Sequence, residues 1–320
     1  MGRQQPPKNS RPEAGAQQGG DAGGLKTALM SGVERHLAKL YATPLSPGLY
    51  LVSTPIGNLG DISIRALFTL AAAHMALCED TRHSRKLFSA YGIGRKLEAY
   101  HDFSGDRDRE RILSALREGK SVALISDAGT PLIADPGFKL VRAAAAEGFA
   151  IYPVPGASAL LAAVAGAGLP SDQFFFGGFL PPKETARREG LEAARAIPGT
   201  LIFYETPGRI EATLTAVAAA FPGRIIALAR ELTKVHETFA RGTAEALLEE
   251  IRQSPPQGEL VLLIGPGETP HATDADVVEA LKNAMKRATL KEAVEEVARG
   301  LGAGKKKVYN LALKLRDQKA

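Results

Sequence analysis

The chain has 320 residues, 45% of them hydrophobic and 23% charged, and a formal net charge of +5. This composition is typical of a soluble globular protein long enough for two domains. No apolar run reaches the roughly 18 residues that a membrane span needs, and the first residues lack the apolar core of a signal peptide.

The single cysteine, Cys78, excludes an internal disulfide and a zinc site built from cysteines. The six histidines show neither an HExxH motif nor a paired spacing. We therefore expect a cytosolic protein without a metal site.

Residues 1–46 are rich in Pro, Gly and Gln and poor in large apolar side chains. Such a segment buries too little surface to offset the entropy lost on ordering, so we expect a disordered N-terminal extension. A short helix within "LKTALMSGVERHLAKLY" is the one element that it could form before Pro44.

Residues 47–170 alternate between strand and helix patterns. The strands read "GLYLVSTPI", "MALCED", "KLEAYH", "SVALISDA" and "AIYPVPG", and helical patterns separate them. This alternation predicts an α/β domain whose parallel sheet is covered on both faces.

Residues 171–268 predict a second α/β domain. The strand patterns "QFFFGGFLP", "GTLIFYETP" and "GELVLLIGPG" are separated by helices, whereas "RIIALARELT" and "HETFARGT" follow each other closely. Two strands so close in sequence favour an antiparallel pair, so the second sheet is expected to be mixed.

Residues 269–320 predict a small, basic helical domain. Two apolar stripes have the i, i+3, i+4, i+7 spacing of a helix: Leu290, Ala293, Val294 and Val297, then Val308, Leu311, Ala312 and Leu315. The turn "GLGAG" between them predicts a helical hairpin of helix-turn-helix character.

Both ends of the chain are basic. Residues 274–320 carry eleven Lys and Arg against seven acids, and residues 1–47 carry six against three. Basic ends often contact nucleic acid, and solubilising tails with the same composition are the competing interpretation.

Three Gly- and Pro-rich loops follow predicted parallel strands: "STPIGNLGD", "SDAGTPLIADPG" and "VPGAS". Ligands bind beyond the carboxyl ends of such strands, glycine lets a ligand approach the backbone, and proline fixes the loop in advance. The loops therefore predict a pocket lined by backbone groups and one carboxylate, Asp127. Three tight strand-to-helix turns are the alternative.

No GxxxxGK[ST], GxGxxG after the first strand, or GxSxG motif is present.

The segments "LYLVSTPIGNLGDISIRAL", "CEDTRHSRKLF", "ISDAGTPLIADPGF", "PVPGASALLAA", "FFFGGFLP" and "RELTKVHE" together resemble the ribosomal RNA small subunit methyltransferase I family. That family belongs to the tetrapyrrole methylase superfamily, and the resemblance runs from about residue 48 to 318. One departure separates the chain from the macrocycle methylases of the superfamily. Their first loop is of GPGDP type, whereas here it reads "TPIGNLGD".

The resemblance implies two α/β domains that bind S-adenosylmethionine between them, and 2′-O-methylation of a cytidine in the decoding region of 16S rRNA. It also implies a homodimer. The cofactor contacts would come from the three loops: Pro55, Gly57, Asp127, Ala128, Gly129, Thr130, Pro131, Ile133, Ala134, Pro155, Gly156, Ala157 and Ser158. A helix cap or turn former is the competing interpretation of Asp127.

"CEDTR" and "RELTK" load two strand ends with ionisable groups that could act on a 2′-hydroxyl. We take Glu79, Asp80 and Lys234 as catalytic candidates, and Arg82 and Arg230 as candidates for RNA phosphates. A structural ion-pair network, which would include Glu231, is the alternative, and the general base stays open. Lys305, Lys306 and Lys307, at the start of the last helix, are further RNA-binding candidates.

Two other functions compete with rRNA methylation. A tetrapyrrole methylase would share the fold and the cofactor, but its substrate does not need a basic terminal hairpin. A non-catalytic ribosome-assembly factor would lack tight S-adenosylmethionine binding. Whether naked 16S rRNA or the 30S subunit is the substrate also stays open at this point.

Overall fold

The computed structural model describes residues 22–101, 104–267, 274–301 and 303–317. The chain divides into two compact units, and the division falls between Ser158 and Ala159. No helix within the described ranges is both long and apolar enough to cross a membrane.

The first unit contains one strand-and-helix alternation preceded by a helix. Its helices are α1 (Ala22–Tyr41), α2 (Ile64–Ala72), α3 (Thr81–Ala90), α4 (Asp106–Arg117) and α5 (Phe138–Ala146). Its strands are β1 (Gly48–Val52), β2 (Met75–Cys78), β3 (Leu97–Ala99), β4 (Ser121–Ile125) and β5 (Ile151–Val154).

The five strands form one parallel sheet in the order β3-β2-β4-β1-β5. Alternate residues enter two separate cores: Leu49 and Leu124 pack with α4 and α5, whereas Val52 and Ile125 pack with α2 and α3. Two covered faces explain why every residue of β4 is buried. The predicted parallel sheet is confirmed.

Helix α1 lies in the segment for which we expected disorder. Residues 22–41 are helical, so the helix predicted from Leu25 is present and begins slightly earlier. Most of its described side chains are exposed, including Leu25 and Leu29, although Tyr41 packs edge-on against Phe68 at 4.9 Å between ring centroids. Disorder is therefore the wrong description of residues 22–41, and residues 1–21 lie outside the described part of the chain.

The second unit contains a mixed sheet and three C-terminal helices. Its strands are β6 (Phe174–Phe179), β7 (Thr200–Glu205), β8 (Ile226–Arg230), β9 (Thr238–Gly242) and β10 (Leu260–Ile264). Its helices are α6 (Ala159–Ala167), α7 (Glu184–Ala194), α8 (Ile210–Ala220), α9 (Ala244–Gln253), α10 (Asp274–Ala284), α11 (Leu290–Gly300) and α12 (Lys305–Asp317).

The second sheet has the order β6-β7-β10-β8-β9. Strands β6 and β7 are parallel and the other three pairs are antiparallel, among them β8 with β9. The mixed sheet and the antiparallel pair are thus confirmed. Helices α7, α8 and α9 cover one face through Leu191, Leu214 and Leu247.

Helix α6 belongs to the second unit, although the sequence placed it in the first domain. It packs against β8, β9 and β10. At Gly166 a Cβ atom would lie 2.3 Å from Cζ of Phe239, so only glycine permits this close approach. The small residues of α6 do serve close packing on a sheet, but the sheet is the second one, and the boundary lies near residue 158 instead of 170.

The C-terminal region has three described helices instead of the predicted two-helix hairpin. Both predicted stripes are present: Ala293, Val294, Val297, Val308 and Ala312 are buried, and Leu290, Leu311 and Leu315 pack against them. Helix α10 completes this core with Val277 and Leu281. Thr289 and Glu292 form a reciprocal capping box at the start of α11.

Candidate functional site

The sheet order brings the three Gly- and Pro-rich loops together. They follow β1, β4 and β5, and β1 lies between the other two strands in the first sheet. All three strands are parallel, so their carboxyl ends meet at one edge. The clustering expected from the sequence is therefore present. We call residues 53–58, 126–137 and 155–158 the loop cluster.

Hydrogen bonds join the loop cluster into one body. The Thr54 N–H donates to the Gly129 carbonyl at 2.8 Å, and the Gly129 N–H donates to the Thr54 carbonyl at 3.1 Å. Oγ of Ser53 lies 3.0 Å from Oγ1 of Thr130, which donates to the Ala157 carbonyl at 3.2 Å. The hydroxyl of Thr130, a residue predicted to contact the cofactor, thus ties all three loops together.

The backbone of the loop cluster has conformations that side chains disfavour. Gly129 has φ +81°, and a Cβ there would lie 3.3 Å from Cγ2 of Ile56. Leu132 and Ala134 also have positive φ, 74° and 61°. Left-handed backbone at non-glycine residues costs about 1–3 kcal/mol and is concentrated at ligand sites. Such a compact, pre-strained cradle fits a ligand held by backbone groups.

A cavity of about 280 Å³ opens beside the loop cluster. Thr54, Pro55, Gly57 and Asp127 line it from the loops, and α3 adds the other wall. Among the remaining predicted cofactor contacts, Pro131 is buried and Ile133, Pro155 and Gly156 are exposed, whereas Ala128, Ala157 and Ser158 are half-buried. The predicted contacts therefore share one edge of the first unit.

Asp127 connects the ends of two neighbouring strands. Its Oδ1 accepts a hydrogen bond from the Asp80 N–H at 3.1 Å, just where α3 begins. Helix α5 begins eleven residues later, and its N-cap residue is Gly137. Asp127 is therefore not the cap of the helix that follows its own loop.

A further carboxylate, Asp135, lies in the loop cluster and was not a sequence candidate. Burial, together with the neighbouring charges of Glu79 and Asp127, raises the pKa of Asp135 to about 7, against a hydrogen bond from Ser126 that lowers it. A positively charged ligand bound at the loop cluster would favour the ionised form of the Asp135 carboxyl. The signal in the sequence was an acid beside a proline inside the longest of the three loops.

The two acids after β2 have different surroundings. Asp80 is the N-cap of α3, and its carboxylate accepts the Arg82 N–H at 2.7 Å and pairs with the Arg82 guanidinium at 3.1 Å. These hydrogen bonds from Arg82 lower the pKa of Asp80, which makes it a weak base. Glu79 is exposed at the same sheet edge.

Lys234 lies in an ion-pair network within the second unit. Its Nζ is 2.9 Å from Oε1 of Glu231 and 3.1 Å from Oε2 of Glu259. Although burial opposes the charge, these carboxylates raise the pKa of Lys234, so it is a cation at neutral pH. Arg230 donates to Thr238 at 3.2 Å. This arrangement favours the structural alternative that the sequence left open for Lys234.

Lys305 and Lys307 are paired with acids of the helical region. Nζ of Lys305 lies 2.7 Å from Glu295, and Nζ of Lys307 lies 2.6 Å from Asp274. Lys306 is exposed, and none of the described acids forms a salt bridge with it. Exposed pairs of this kind contribute about 0–1 kcal/mol, so a phosphate can replace either acid.

Within the described ranges, no group of three or more His, Cys, Asp or Glu side chains is arranged to hold a metal ion. Ser53, Ser126 and Asp135 are the loop-cluster residues that sequence reasoning missed. Their positions depend on contacts between loops that are more than seventy residues apart or on burial, which no local pattern reports.

Two family models and several named relatives match the chain. The family model for tetrapyrrole (corrin/porphyrin) methylases matches residues 48–248, and the model for the RsmI C-terminal HTH domain matches residues 271–316. A protein of Mesorhizobium japonicum named ribosomal RNA small subunit methyltransferase I is 46% identical, covering 86% of this chain and 95% of its own length. A Pseudomonas aeruginosa protein of the same name is 44% identical and covers 83% and 96%.

Solved structures confirm the fold alone. A cobalt precorrin-4 methyltransferase of cobalamin biosynthesis superposes with a TM-score of 0.52 at 19% identity, over 68% of this chain and 94% of that chain. A diphthine synthase superposes with a TM-score of 0.54 at 15% identity, over 68% and 89%. Both structures superpose on the same share of this chain, 68%.

Proposed function

Because the chain belongs to the ribosomal RNA small subunit methyltransferase I family, we propose that it methylates the 2′-hydroxyl of a cytidine in the decoding region of 16S rRNA. It is an S-adenosylmethionine-dependent rRNA methyltransferase by family membership. The observation that carries the site assignment is the loop cluster, in which three backbone-lined loops meet at one sheet edge.

The loop cluster suits S-adenosylmethionine, which when bound supplies a methyl group on a positively charged sulfur. Carbonyl groups and the carboxylates of Asp127 and Asp135 match that charge. Gly129 and Gly156 let the backbone approach, since a Cβ at 156 would lie 2.9 Å from Cβ of Ser53. The remaining proposed contacts are those predicted from the sequence in the same three loops.

The residues of the chain would promote methyl transfer mainly by positioning the 2′-hydroxyl and the methyl group of the cofactor. In the reaction an oxygen–carbon bond forms at the 2′-hydroxyl, a sulfur–carbon bond breaks, and the hydroxyl proton passes to a base. Holding reactants in line is worth effective molarities of about 10⁵–10⁸ M. Glu79 is our candidate for the proton acceptor, because it is exposed beside the loop cluster while Asp80 is used as a helix cap.

The proposed substrate form is the 16S rRNA within the 30S subunit, met in the cytoplasm by a homodimer of this chain. Arg82, which is exposed, and Arg230 are proposed phosphate contacts. An unstacked cytidine is the form in which a 2′-hydroxyl can enter an enzyme site.

Tritium transfer from labelled S-adenosylmethionine tests the proposal. We expect label in 30S subunits and none in a porphyrinogen substrate. Label in the porphyrinogen alone would assign the chain to macrocycle methylation. Failure to bind S-adenosylmethionine in calorimetry would favour the assembly-factor alternative.

Asp135 predicts a pH dependence of cofactor affinity. In the free protein its pKa is about 7, and a bound cation lowers it, so binding releases a proton. Affinity should therefore fall as pH drops below 7, by about tenfold between pH 8 and pH 6. Calorimetry with S-adenosylmethionine measures it.

The Asp135→Asn variant should bind more weakly at pH 8 and lose this pH dependence. His83→Gln is the matched control, because its imidazole lines the same cavity and the variant should keep the tenfold change. An unaltered pH profile in Asp135→Asn would contradict the assignment.

The start of α12 predicts a salt-dependent contact with RNA. Replacing Lys305, Lys306 and Lys307 with glutamine should weaken 30S binding. Each lost phosphate contact should lower the slope of log affinity against log salt by about 0.7–0.9. Filter binding at several salt concentrations measures this slope, while affinity for S-adenosylmethionine should stay unchanged. Glutamine at Lys282, Lys286 and Lys291 removes the same charge from the same helical region, and an equal slope in both triple variants would refute a specific contact.

A further inference from the structure

A second cavity, of about 700 Å³, lies in the second unit and shares no lining residue with the loop cluster. Three chain segments and one side chain form its walls. They are residues 168–170 before β6, residues 220–225 between α8 and β8, residues 265–267 after β10, and Arg195 at the end of α7. We call it the arginine cavity.

Among the described residues that line the arginine cavity, two have polar side chains, and both are arginines. The other described lining residues are glycine, proline, alanine, leucine, isoleucine and phenylalanine. No carboxylate lies among them. The described part of the cavity therefore offers two guanidinium groups, and its other lining residues carry no side-chain acceptor.

Arg224 is held in place by weak partners. Its guanidinium stacks over the Phe221 ring at 4.5 Å and donates to the Gly265 carbonyl at a long 3.5 Å. Gly267 leaves room for it, since a Cβ there would lie 3.0 Å from Nη2 of Arg224. Partial burial and, second, the charge of Arg195 both lower the pKa of Arg224. The guanidinium is thus fixed in an environment that disfavours its charge.

Arg195 contributes the second charge. Within the described residues, Arg195 forms a salt bridge with Glu192 at 3.5 Å, one turn away on an exposed surface. Such a pair contributes about 0–1 kcal/mol. An anion bound beside these two like charges would offset their repulsion. Guanidinium groups bind phosphate through two parallel N–H donors, which makes phosphate an anion that suits both arginines.

The lining residues also indicate which kind of phosphate compound the cavity binds. A site that selected a free nucleotide would place further polar side chains around the base, and the described lining residues include none besides the two arginines. The chain leaves the cavity at Gly267 and α10 begins at Asp274. Seven residues span at most about 25 Å, so the start of α10 lies no farther than that from Gly267. An RNA strand bound to the basic α10–α12 region can therefore extend to the cavity.

We propose that Arg195 and Arg224 form a docking site for a phosphodiester of the rRNA backbone. The site recognises the charge of the backbone and not the base sequence. It adds a second RNA contact to the one proposed at the start of α12. This inference rests on the proposed rRNA substrate.

The test is the salt dependence of 30S binding by the double variant Arg195→Gln, Arg224→Gln. Loss of this one phosphate contact should lower the log–log slope by about 0.7–0.9. The matched control is Lys183→Gln, Arg188→Gln, which removes two exposed charges next to or within α7 but outside the arginine cavity. Its slope should stay close to wild type. Equal slopes in the two double variants would overturn the proposal.

Two further measurements keep the outcome clear. Arg195→Gln alone changes an exposed side chain, so it should fold normally and lower the slope by up to about 0.7–0.9, even where loss of Arg224 harms folding. Inorganic phosphate serves as the free-anion probe. Stabilisation by phosphate that the double variant loses, with an unchanged RNA slope, would assign the cavity to a small anion and overturn the RNA assignment. Methyl transfer by the wild type is scored separately, so a failed rRNA substrate is distinguishable from a failed docking site.

Discussion

We expect the Gly129→Val variant to lose S-adenosylmethionine binding by at least about a hundredfold. Gly129 has φ +81°, where an L-residue costs about 1–2 kcal/mol and a β-branched one more. The added side chain would also begin 3.3 Å from Cγ2 of Ile56 and 3.8 Å from the Ala157 carbonyl. Both neighbours belong to the other two loops, so the valine would push the loop cluster apart.

The measurement is calorimetry, with circular dichroism and thermal unfolding to follow the fold. We expect near-normal secondary structure with a lower melting temperature. Gly148→Val is the matched control, because Gly148 has φ +75° but no atom within 4 Å of an added Cβ. That variant carries a similar backbone cost and should bind the cofactor as wild type does. Normal binding by Gly129→Val would mean that the loop assignment is wrong.

We expect the Glu79→Ala variant to lower the single-turnover rate of methyl transfer by about 10²–10⁴, the usual contribution of a general base. Cofactor affinity should change much less, because backbone groups provide most of the proposed contacts. The physical reason is the position of Glu79, exposed after β2 and close enough to Asp135 to raise its pKa.

Two controls separate chemistry from structure. Asp80→Asn removes the neighbouring charge but keeps a side chain that caps α3, so it should retain most of the rate. Lys234→Ala removes a cation that two carboxylates hold, so it should lower the stability of the second unit more than the rate. A near-normal single-turnover rate in Glu79→Ala would place the base elsewhere.

The sequence predicted those features that local patterns determine. Strand and helix alternation gave the parallel sheet, and glycines and prolines after β1, β4 and β5 indicated the loop cluster. The assignment of α6 was wrong because its partner, Phe239, lies more than seventy residues away. The elevated pKa of Asp135 likewise depends on burial and on Glu79 and Asp127, which only the fold brings near.

The C-terminal region shows the same limit. The apolar stripes of α11 and α12 have a clear helical period, whereas α10 joins them through Val277 and Leu281, which suggested no stripe by themselves. Lys305 and Lys307 were RNA-binding candidates in the sequence, and folding brings Glu295 and Asp274 to them. Charge partners in three dimensions are therefore the part of the site that needed the structure.

The most direct test of the central claim is the position of the methyl group on the RNA. Tritiated S-adenosylmethionine, 30S subunits and the wild-type protein are incubated, and the 16S rRNA is then hydrolysed with alkali. A 2′-O-methyl group blocks cleavage of the adjoining phosphodiester, so we predict one labelled, alkali-resistant dinucleotide that begins with cytidine and comes from the decoding region. Label on a base, label released with ordinary mononucleotides, or no label in the 16S rRNA would contradict the account.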